Sequence, residues 1–270
     1  MVERIKEIRK QLAETAPLIH CITNPISINQ CANLVLASDC RPIMAEHPQE
    51  VQEITRMAAA LLLNLGNITD TRLKSIILSA DEAEKNGIPY VFDAVGISCS
   101  ELRRTFTYDY LEHHTPAVIK GNYSEIHALF NCSYHSSGVD ADTSLNLSQC
   151  SQIAMKLADR YHCIILASGK TDIVTDGKRL IHIKNGTPML AKVTGTGCML
   201  GALCGCYLAA CQDITAPAAA CAVLGICGEL AETDRGTGTF MVNLMDKLST
   251  LTDYELEEYI KMEEICIEDI

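Results

Sequence analysis

Short apolar runs alternate with longer amphipathic segments along most of the chain. The apolar runs predict β-strands at residues 18–22, 42–44, 60–65, 90–92, 117–119 and 164–167. Apolar positions with helical spacing predict helices between them, at 28–38, 72–85 and 152–161. This alternation is typical of stacked βαβ units. We therefore expect an α/β fold with a central, largely parallel sheet flanked by helices on both faces.

The pattern changes after Lys170. Two short apolar runs, at 172–174 and 179–183, flank Asp176-Gly177, a dipeptide typical of β-hairpin turns. Residues 189–193 are expected to be extended, helices are predicted at 197–211, 216–232 and 240–248, and the acidic tail from Asp253 is expected to form a surface helix. No linker-like segment marks a boundary, so residues 1–270 are predicted to form a single domain.

Charge and apolar content limit the classes of partner. The chain has 270 residues, a formal net charge of −12 and 48% hydrophobic residues. The negative charge disfavours nucleic acid and anionic membranes as partners, because phosphate groups attract Lys and Arg. No apolar run is long enough to cross a bilayer. Residues 1–11 form a charged amphipathic pattern unlike a signal peptide, so the expected location is the cytosol.

Fourteen cysteines are an unusual number for such a chain. No two have the C-x-x-C spacing of common zinc sites, and the nearest approach to a cluster is Cys204-Gly205-Cys206. In a reducing compartment most of them are expected to be small buried apolar residues. A non-enzymatic thiol or metal-binding protein remains the alternative from a different functional class.

The segment Thr194-Gly195-Thr196-Gly197-Cys198 precedes a long predicted helix rich in small residues. Backbone N–H groups that converge at a helix N-terminus favour an anion. The spacing fits neither the P-loop nor the dinucleotide fingerprint, so the turn is either another kind of anion site or a tight connection. Cys198 in the first helical turn is predicted to have a lowered pKa. It would act as a weak base or line the pocket.

Acidic residues follow two of the predicted strands. Asp93 ends the run 90–92, and Asn122 and Glu125 follow the run 117–119. Ligands bind at the carboxyl ends of strands in open α/β sheets, and phosphoryl transfer needs groups that hold a metal. Asn122 and Glu125, three residues apart, could face one ligand together. The structural alternatives are a helix cap for Glu125 and a loop acid for Asp93.

These motifs together resemble the hydroxyethylthiazole kinases of the ribokinase-like superfamily. The matching segments are Pro17 to Asn24, Cys31-Ala32-Asn33, Pro42 to Pro48, Ala60 to Gly66, Asp93 to Gly96, Lys120 to Asn122, Gly138 to Asp140 and the turn that ends in Cys198. Most of the superfamily has Asp where Cys198 stands, whereas a Cys there is characteristic of this family. The resemblance implies ATP- and Mg²⁺-dependent phosphorylation of the primary hydroxyl of 4-methyl-5-(2-hydroxyethyl)thiazole, in thiamine salvage, by a homotrimer.

The resemblance also implies roles for particular residues. Asn24, Met44 and Gly195 would contact the thiazole; Lys120, Ser168, Thr194 and Gly197 would contact ATP; Asp93, Asn122 and Glu125 would serve the metal; Cys198 would be the catalytic residue beside the reacting hydroxyl. The family commonly has Pro at the position of Ala94 and Arg at that of Lys120. Lys keeps the charge but loses the bidentate geometry of Arg.

Two further enzymes of this fold compete with that interpretation. A kinase acting on hydroxymethylpyrimidine would differ in the pocket around Asn24 and Met44. A nucleotide-hydrate dehydratase would be expected to keep an acidic residue at the end of the glycine turn, and Cys198 argues against it.

Overall fold

The computed structural model describes residues 1–132, 134 and 146–266. Within these residues nine strands form one sheet: β1 (Leu18–Ile22), β2 (Arg41–Ile43), β3 (Ala60–Asn64), β4 (Tyr90–Asp93), β5 (Val118–Asn122), β6 (Ile164–Ser168), β7 (Asp172–Thr175), β8 (Leu180–Ile183) and β9 (Met262–Ile265). The segment 138–140, which contributed to the family resemblance, lies outside the described residues.

The sheet is parallel over its first six strands and antiparallel beyond them. Its order is β2-β1-β3-β4-β5-β6-β7-β8-β9, and β7 to β9 are antiparallel to their neighbours. Parallel pairing brings the last residues of adjacent strands side by side, since Asn64 is in register with Asp93 and Asn122 with Ser168. The carboxyl ends of β1 to β6 therefore form one continuous edge.

Helices cover both faces of the sheet. They are α1 (Val2–Thr15), α2 (Ile28–Ala37), α3 (Val51–Met57), α4 (Asp70–Asn86), α5 (Glu101–His113), α6 (Tyr123–Phe130), α7 (Leu147–Tyr161), α8 (Thr196–Leu208), α9 (Thr215–Leu230), α10 (Thr237–Thr250) and α11 (Asp253–Tyr259). None of these helices is long and apolar enough to cross a membrane.

Alternate strand residues enter two separate hydrophobic cores. In β3, Leu62 packs with α1, α2 and α8 to α11, whereas Leu61 and Leu63 pack with α3 to α7 on the opposite face. Strands buried on both faces explain why the sequence shows continuous apolar runs there. The predicted α/β fold and its mostly parallel sheet are confirmed, as are the 172–183 hairpin and the burial of ten of the fourteen cysteines.

Residues 189–193 were predicted to be extended, and this was wrong. Residues Leu190–Lys192 form a short 3-10 helix, and the hydroxyl of Thr196 donates to the Leu190 carbonyl oxygen at 2.9 Å. Leu190 packs against Gly228 of α9, where a Cβ would approach its Cδ1 to 2.9 Å. The absent side chain of Gly228 thus allows a compact turn in place of a strand.

The acidic tail begins as predicted and then departs from the prediction. Helix α11 covers Asp253–Tyr259, but Met262–Ile265 form strand β9 against the edge of β8. Glu263 pairs with Lys184 at 2.6 Å and Glu264 with Arg179 at 2.7 Å. The charged residues of this edge strand are therefore matched by cations near its neighbour.

Candidate active site

Polar residues gather where the six parallel strands end. Asn64, Asp93, Asn122 and Ser168 are the last residues of β3, β4, β5 and β6, Met44 follows β2 directly, and Asn24 stands two residues after β1. Parallel strands bring all of these to one edge of the sheet, where open α/β folds bind their ligands. Helix α8 begins at the same edge with Thr196.

The turn before α8 is open toward a buried cation. Gly195 has φ of 91°, a conformation that favours glycine, and a Cβ there would lie 3.0 Å from Cβ of Ser27. Gly197 is exposed, and among the described residues the side-chain atom that a Cβ there would meet is the Lys120 Nζ, at 4.0 Å. The free N–H groups of the helix start and the ammonium of Lys120 thus border open space that suits an anion.

Lys120 forms a buried ion pair with Asp93. The Lys120 Nζ lies 3.0 Å from Asp93 Oδ1, and Asn64 Nδ2 donates to Asp93 Oδ2 at 2.8 Å. Burial raises the pKa of Asp93 against the influence of Lys120 and Asn64. Burial lowers the pKa of Lys120, but the negative charges around it, above all Asp93, outweigh this and raise it. The ammonium form of Lys120 is therefore favoured.

Glu125 belongs to a capping box at the start of α6. Asn122 accepts from the Glu125 backbone N–H at 2.9 Å, and Glu125 Oε2 accepts from the Asn122 N–H at 2.7 Å. Its other oxygen accepts from the Gly96 N–H at 2.7 Å. Burial, followed by the neighbouring Asp93, raises the pKa of Glu125 to about 7. The capping contact considered from the sequence exists, but this carboxylate also lies among the charges of the site.

Cys198 lies among the amides of two asparagines. Asn24 Nδ2 is 3.1 Å and Asn64 Nδ2 is 3.5 Å from Cys198 Sγ. Burial and then the charge of Asp93 raise the pKa of the Cys198 thiol. The predicted lowering was therefore wrong. Packing of α8 against the sheet desolvates the sulfur and brings it near a carboxylate, and these effects outweigh the helix N-terminus.

Asn64 was not predicted as a site residue, yet it connects the others. Its amide contacts Asp93 and Cys198, and its Oδ1 accepts from Asn24 at 3.3 Å and from the Gly66 N–H at 2.8 Å. The signal in the sequence was an amide that ends an otherwise apolar strand, Ala60–Asn64. A polar residue at such a strand end lies at the ligand-binding edge of a parallel sheet.

The loop that carries Met44 is held by a buried histidine. His20 Nε2 lies 2.9 Å from the Ala45 carbonyl oxygen and Nδ1 lies 3.0 Å from Thr55 Oγ1. A carbonyl oxygen can only accept, so Nε2 carries the proton. Burial lowers the pKa of His20, which keeps the ring neutral. The half-buried Met44 is thereby fixed next to the edge on which Asn24 lies.

The remaining predicted residues occupy the same edge with fewer contacts. Ser168 Oγ donates to the Gly121 carbonyl oxygen at 3.4 Å, beside its register partner Asn122. Thr194 is exposed just before the turn. The structure thus connects Asn24, Cys198, Asp93 and Lys120 directly or through Asn64, and it leaves Ser168 and Thr194 at the periphery of that network.

The donor set is compatible with Mg²⁺. Asp93, Asn122 and Glu125 offer carboxylate and amide oxygens, the ligands that magnesium prefers, usually one or two from the protein with water and phosphate completing the shell. Burial and then the charge of Asp93 raise the pKa of Glu125. A cation bound nearby would oppose this increase, because it favours the charged carboxylate. The residues present therefore fit a magnesium–phosphate group.

Comparisons with known proteins agree with this geometry. Residues 9–254 match the hydroxyethylthiazole kinase family. Hydroxyethylthiazole kinase 2 of Clostridium botulinum (strain Hall) is 41% identical over 252 residues, which cover 92% of this chain and 95% of that protein. The solved structure of the hydroxyethylthiazole kinase protein from Pyrococcus horikoshii OT3 superposes with a TM-score of 0.90 at 30% identity, covering 98% of this chain and 100% of that one.

A more distant structure shows how widely the fold is shared. A ribokinase-like superfamily protein from Enterococcus faecalis V583 has a TM-score of 0.61 at 14% identity, covering 93% of this chain and 94% of that one. The chain thus has the fold of the ribokinase-like class. Within that class, the chain belongs to the hydroxyethylthiazole kinase family.

Proposed function

We propose that this protein transfers the γ-phosphoryl group of ATP to the primary hydroxyl of 4-methyl-5-(2-hydroxyethyl)thiazole, a reaction of thiamine salvage, with the whole chain acting as one domain. Membership of the hydroxyethylthiazole kinase family supports the substrate. One structural observation carries the proposal: the open turn at Gly195–Gly197 faces the buried ammonium of Lys120 at the carboxyl edge of the sheet.

The nucleotide phosphates are proposed to lie between the turn and Lys120. N–H groups at the start of α8 would hold the charge that develops on the transferred phosphoryl group, because they are fixed before the reaction begins. Thr194, Gly197 and Ser168 would border the nucleotide, since all three lie at this edge. Asp93 keeps Lys120 oriented at 3.0 Å and so fixes the cation in the site.

Asp93, Asn122 and Glu125 are proposed to hold Mg²⁺. When bound, the ion would neutralise phosphate charge during transfer. Glu125 is held by N–H donors at 2.7 Å on each of its oxygens, so its carboxylate is already oriented. Binding of a cation would favour the charged form of Glu125, whose pKa of about 7 leaves it partly protonated near neutral pH.

The thiazole is proposed to bind beside Asn24, Met44 and Gly195. The thioether of Met44 is polarizable and suits a flat, sulfur-containing ring. Cys198 would lie next to the attacking hydroxyl, where Asn24 fixes its sulfur at 3.1 Å. In a loose transition state the hydroxyl proton leaves late, so a thiol with a raised pKa is sufficient in this position.

We also propose a homotrimer in the cytosol. Ile26 is 59% exposed two residues after Asn24, and an apolar side chain at the rim of the site is suited to cover by another copy of the chain. All fourteen cysteines are free thiols, which is typical of a reducing compartment. Light scattering coupled to size exclusion tests the assembly, and a monomer at micromolar concentration would reject it.

The function is tested by ADP release from Mg-ATP with and without 4-methyl-5-(2-hydroxyethyl)thiazole. We expect thiazole-dependent ADP and a phosphate ester as the second product. Hydroxymethylpyrimidine is assayed in parallel. If the protein prefers it, the proposed substrate is wrong but the assignment as a kinase stands. Failure to bind ATP at all would reject the kinase, and stoichiometric zinc in protein prepared without chelator would then favour a metal-binding protein.

A further inference from the structure

Two buried hydroxyl groups beside the candidate active site lack hydrogen-bond partners. Thr23 Oγ1 and Ser27 Oγ are enclosed, with residue exposures of 1% and 0%, and neither makes a hydrogen bond of normal geometry to the part of the chain that the structure describes. Leaving a buried hydroxyl unpaired is unfavourable, so such a group needs a structural or chemical reason.

The side chain of Ser27 does not cap the helix that begins beside it. It occupies the N-cap position of α2, where serine is preferred because its side chain accepts from the first free N–H groups. Here the side chain makes no such bond, and only the Ser27 carbonyl oxygen accepts from Cys31 N–H, at 2.9 Å. The hydroxyl therefore satisfies none of the first N–H groups of α2.

The Ser27 hydroxyl acts on two thiols. Burial raises the pKa of Cys198 and of Cys31, and hydrogen bonding by Ser27 lowers both against that larger effect; Thr23 acts on Cys31 in the same way. The backbone is fixed as well, because Asn24 Oδ1 accepts from the Ser27 N–H at 3.2 Å while Asn24 Nδ2 reaches the Cys198 sulfur. Gly195 permits this approach, since any Cβ there would meet Ser27.

We propose that Ser27 is a positioning residue whose hydroxyl donates to the Cys198 sulfur and, with Asn24 and Asn64, completes a set of three donors around it. A serine hydroxyl has one proton to donate, and it goes to Cys198, the sulfur that also receives the amides of Asn24 and Asn64. Because Ser27 is fully buried, it cannot touch a substrate directly and acts through Cys198. This role in turnover rests on the proposed kinase function.

The first test does not depend on that function. Alkylation of Cys198 by iodoacetamide is followed by mass spectrometry of its peptide, in protein without ligands, for wild type and Ser27→Ala. We expect the variant to react about five- to tenfold more slowly, because a donor that stabilises the reacting sulfur is lost. Thr23→Val is the matched control: it removes the neighbouring orphan hydroxyl, which acts on Cys31, and should leave the rate of Cys198 unchanged.

The second test separates positioning from stability. Ser27→Ala should lower kcat about five- to tenfold with KM nearly unchanged and with a Tm close to that of wild type, since one hydrogen bond to sulfur contributes little to stability. In a Cys198→Ala background the same substitution should have no further effect on kcat. Unchanged alkylation of Cys198 in Ser27→Ala, or additive losses of kcat in the double variant, would overturn the proposal. If the protein does not phosphorylate the thiazole, the alkylation rates alone still decide whether Ser27 acts on Cys198.

Discussion

Two helices of this protein begin with the same capping box in opposite surroundings. Asn122 and Glu125 form it at the start of α6, and Thr252 and Glu255 form it at the start of α11. Glu125 is 4% exposed, and burial followed by the charge of Asp93 raises its pKa to about 7. The side chain of Glu255 is 23% exposed, and its hydrogen bond from Lys247, at 2.8 Å, is the main reason that its pKa falls to about 2.

The comparison separates what the local motif determines from what the tertiary structure determines. In both boxes the backbone N–H of the cap residue fixes one carboxylate oxygen, at 2.7 Å in Glu125 and 2.9 Å in Glu255. The motif therefore orients the Glu carboxylate against the cap residue in the same way in both helices. Protonation differs because one carboxylate lies among buried charges at the strand ends and the other at the surface beside a cation.

The largest expected difference between the two boxes is in turnover. Glu125→Gln keeps the size of the side chain but removes its charge at the proposed magnesium site, and we expect kcat to fall at least about 100-fold. Glu255→Gln, the matched control on α11, should stay within about twofold of wild type. Thiazole-dependent ADP release measures both.

The loss of kcat in Cys198→Ala can be compared with that in Glu125→Gln, since both residues belong to the candidate site. Its loss should be smaller than that of Glu125→Gln, because proton removal contributes modestly when the transition state is loose. If Glu125→Gln retains most activity, the capping box of α6 has only a structural role, like that of α11. Abolished turnover in Cys198→Ala with ATP binding intact would reverse the ranking.

The second expected difference is in the pH dependence of stability. The pKa of Glu125 rises from an ordinary 4.5 to about 7 on folding, so between these values the folded state binds more protons than the unfolded state. Its stabilising contribution is complete below pH 4.5 and is lost as the pH rises through 7. Relative to Glu125→Gln, wild type should lose about 2 kcal/mol of unfolding free energy between pH 5.5 and 7.5.

Glu255 supplies the control for this measurement. Its folded pKa of about 2 and its ordinary value of 4.5 both lie below the window, so Glu255→Gln should follow wild type across it. Urea denaturation under reducing conditions measures all three proteins, and starting at pH 5.5 avoids the isoelectric point near 5.1. A difference between wild type and Glu125→Gln that does not change with pH would show that Glu125 has an ordinary pKa in the folded protein.

The sequence alone predicted much of this site because strand ends are local features. Asp93 and Glu125 each follow a short apolar run, and parallel pairing then brings such positions together. The pKa of Cys198 was predicted with the wrong sign because its burial and its proximity to Asp93 arise only when α8 packs on the sheet. Strand β9 was missed because an acidic segment forms a strand here only beside Lys184 and Arg179.

The smallest expected effect concerns the cap of α11 itself. Thr252 accepts from the Glu255 N–H at 3.2 Å and its hydroxyl donates to Glu255 Oε2 at 2.9 Å, so Thr252→Ala removes both bonds. We expect a loss of about 1 kcal/mol of stability by urea denaturation, the usual cost of a deleted N-cap, with unchanged kcat. Ser249→Ala, which removes an exposed hydroxyl that caps no helix N-terminus, should change stability by less than about 0.5 kcal/mol. A fall in kcat for Thr252→Ala at full folding would mean that α11 influences the site, and the contrast between a structural box and a functional one would then no longer hold.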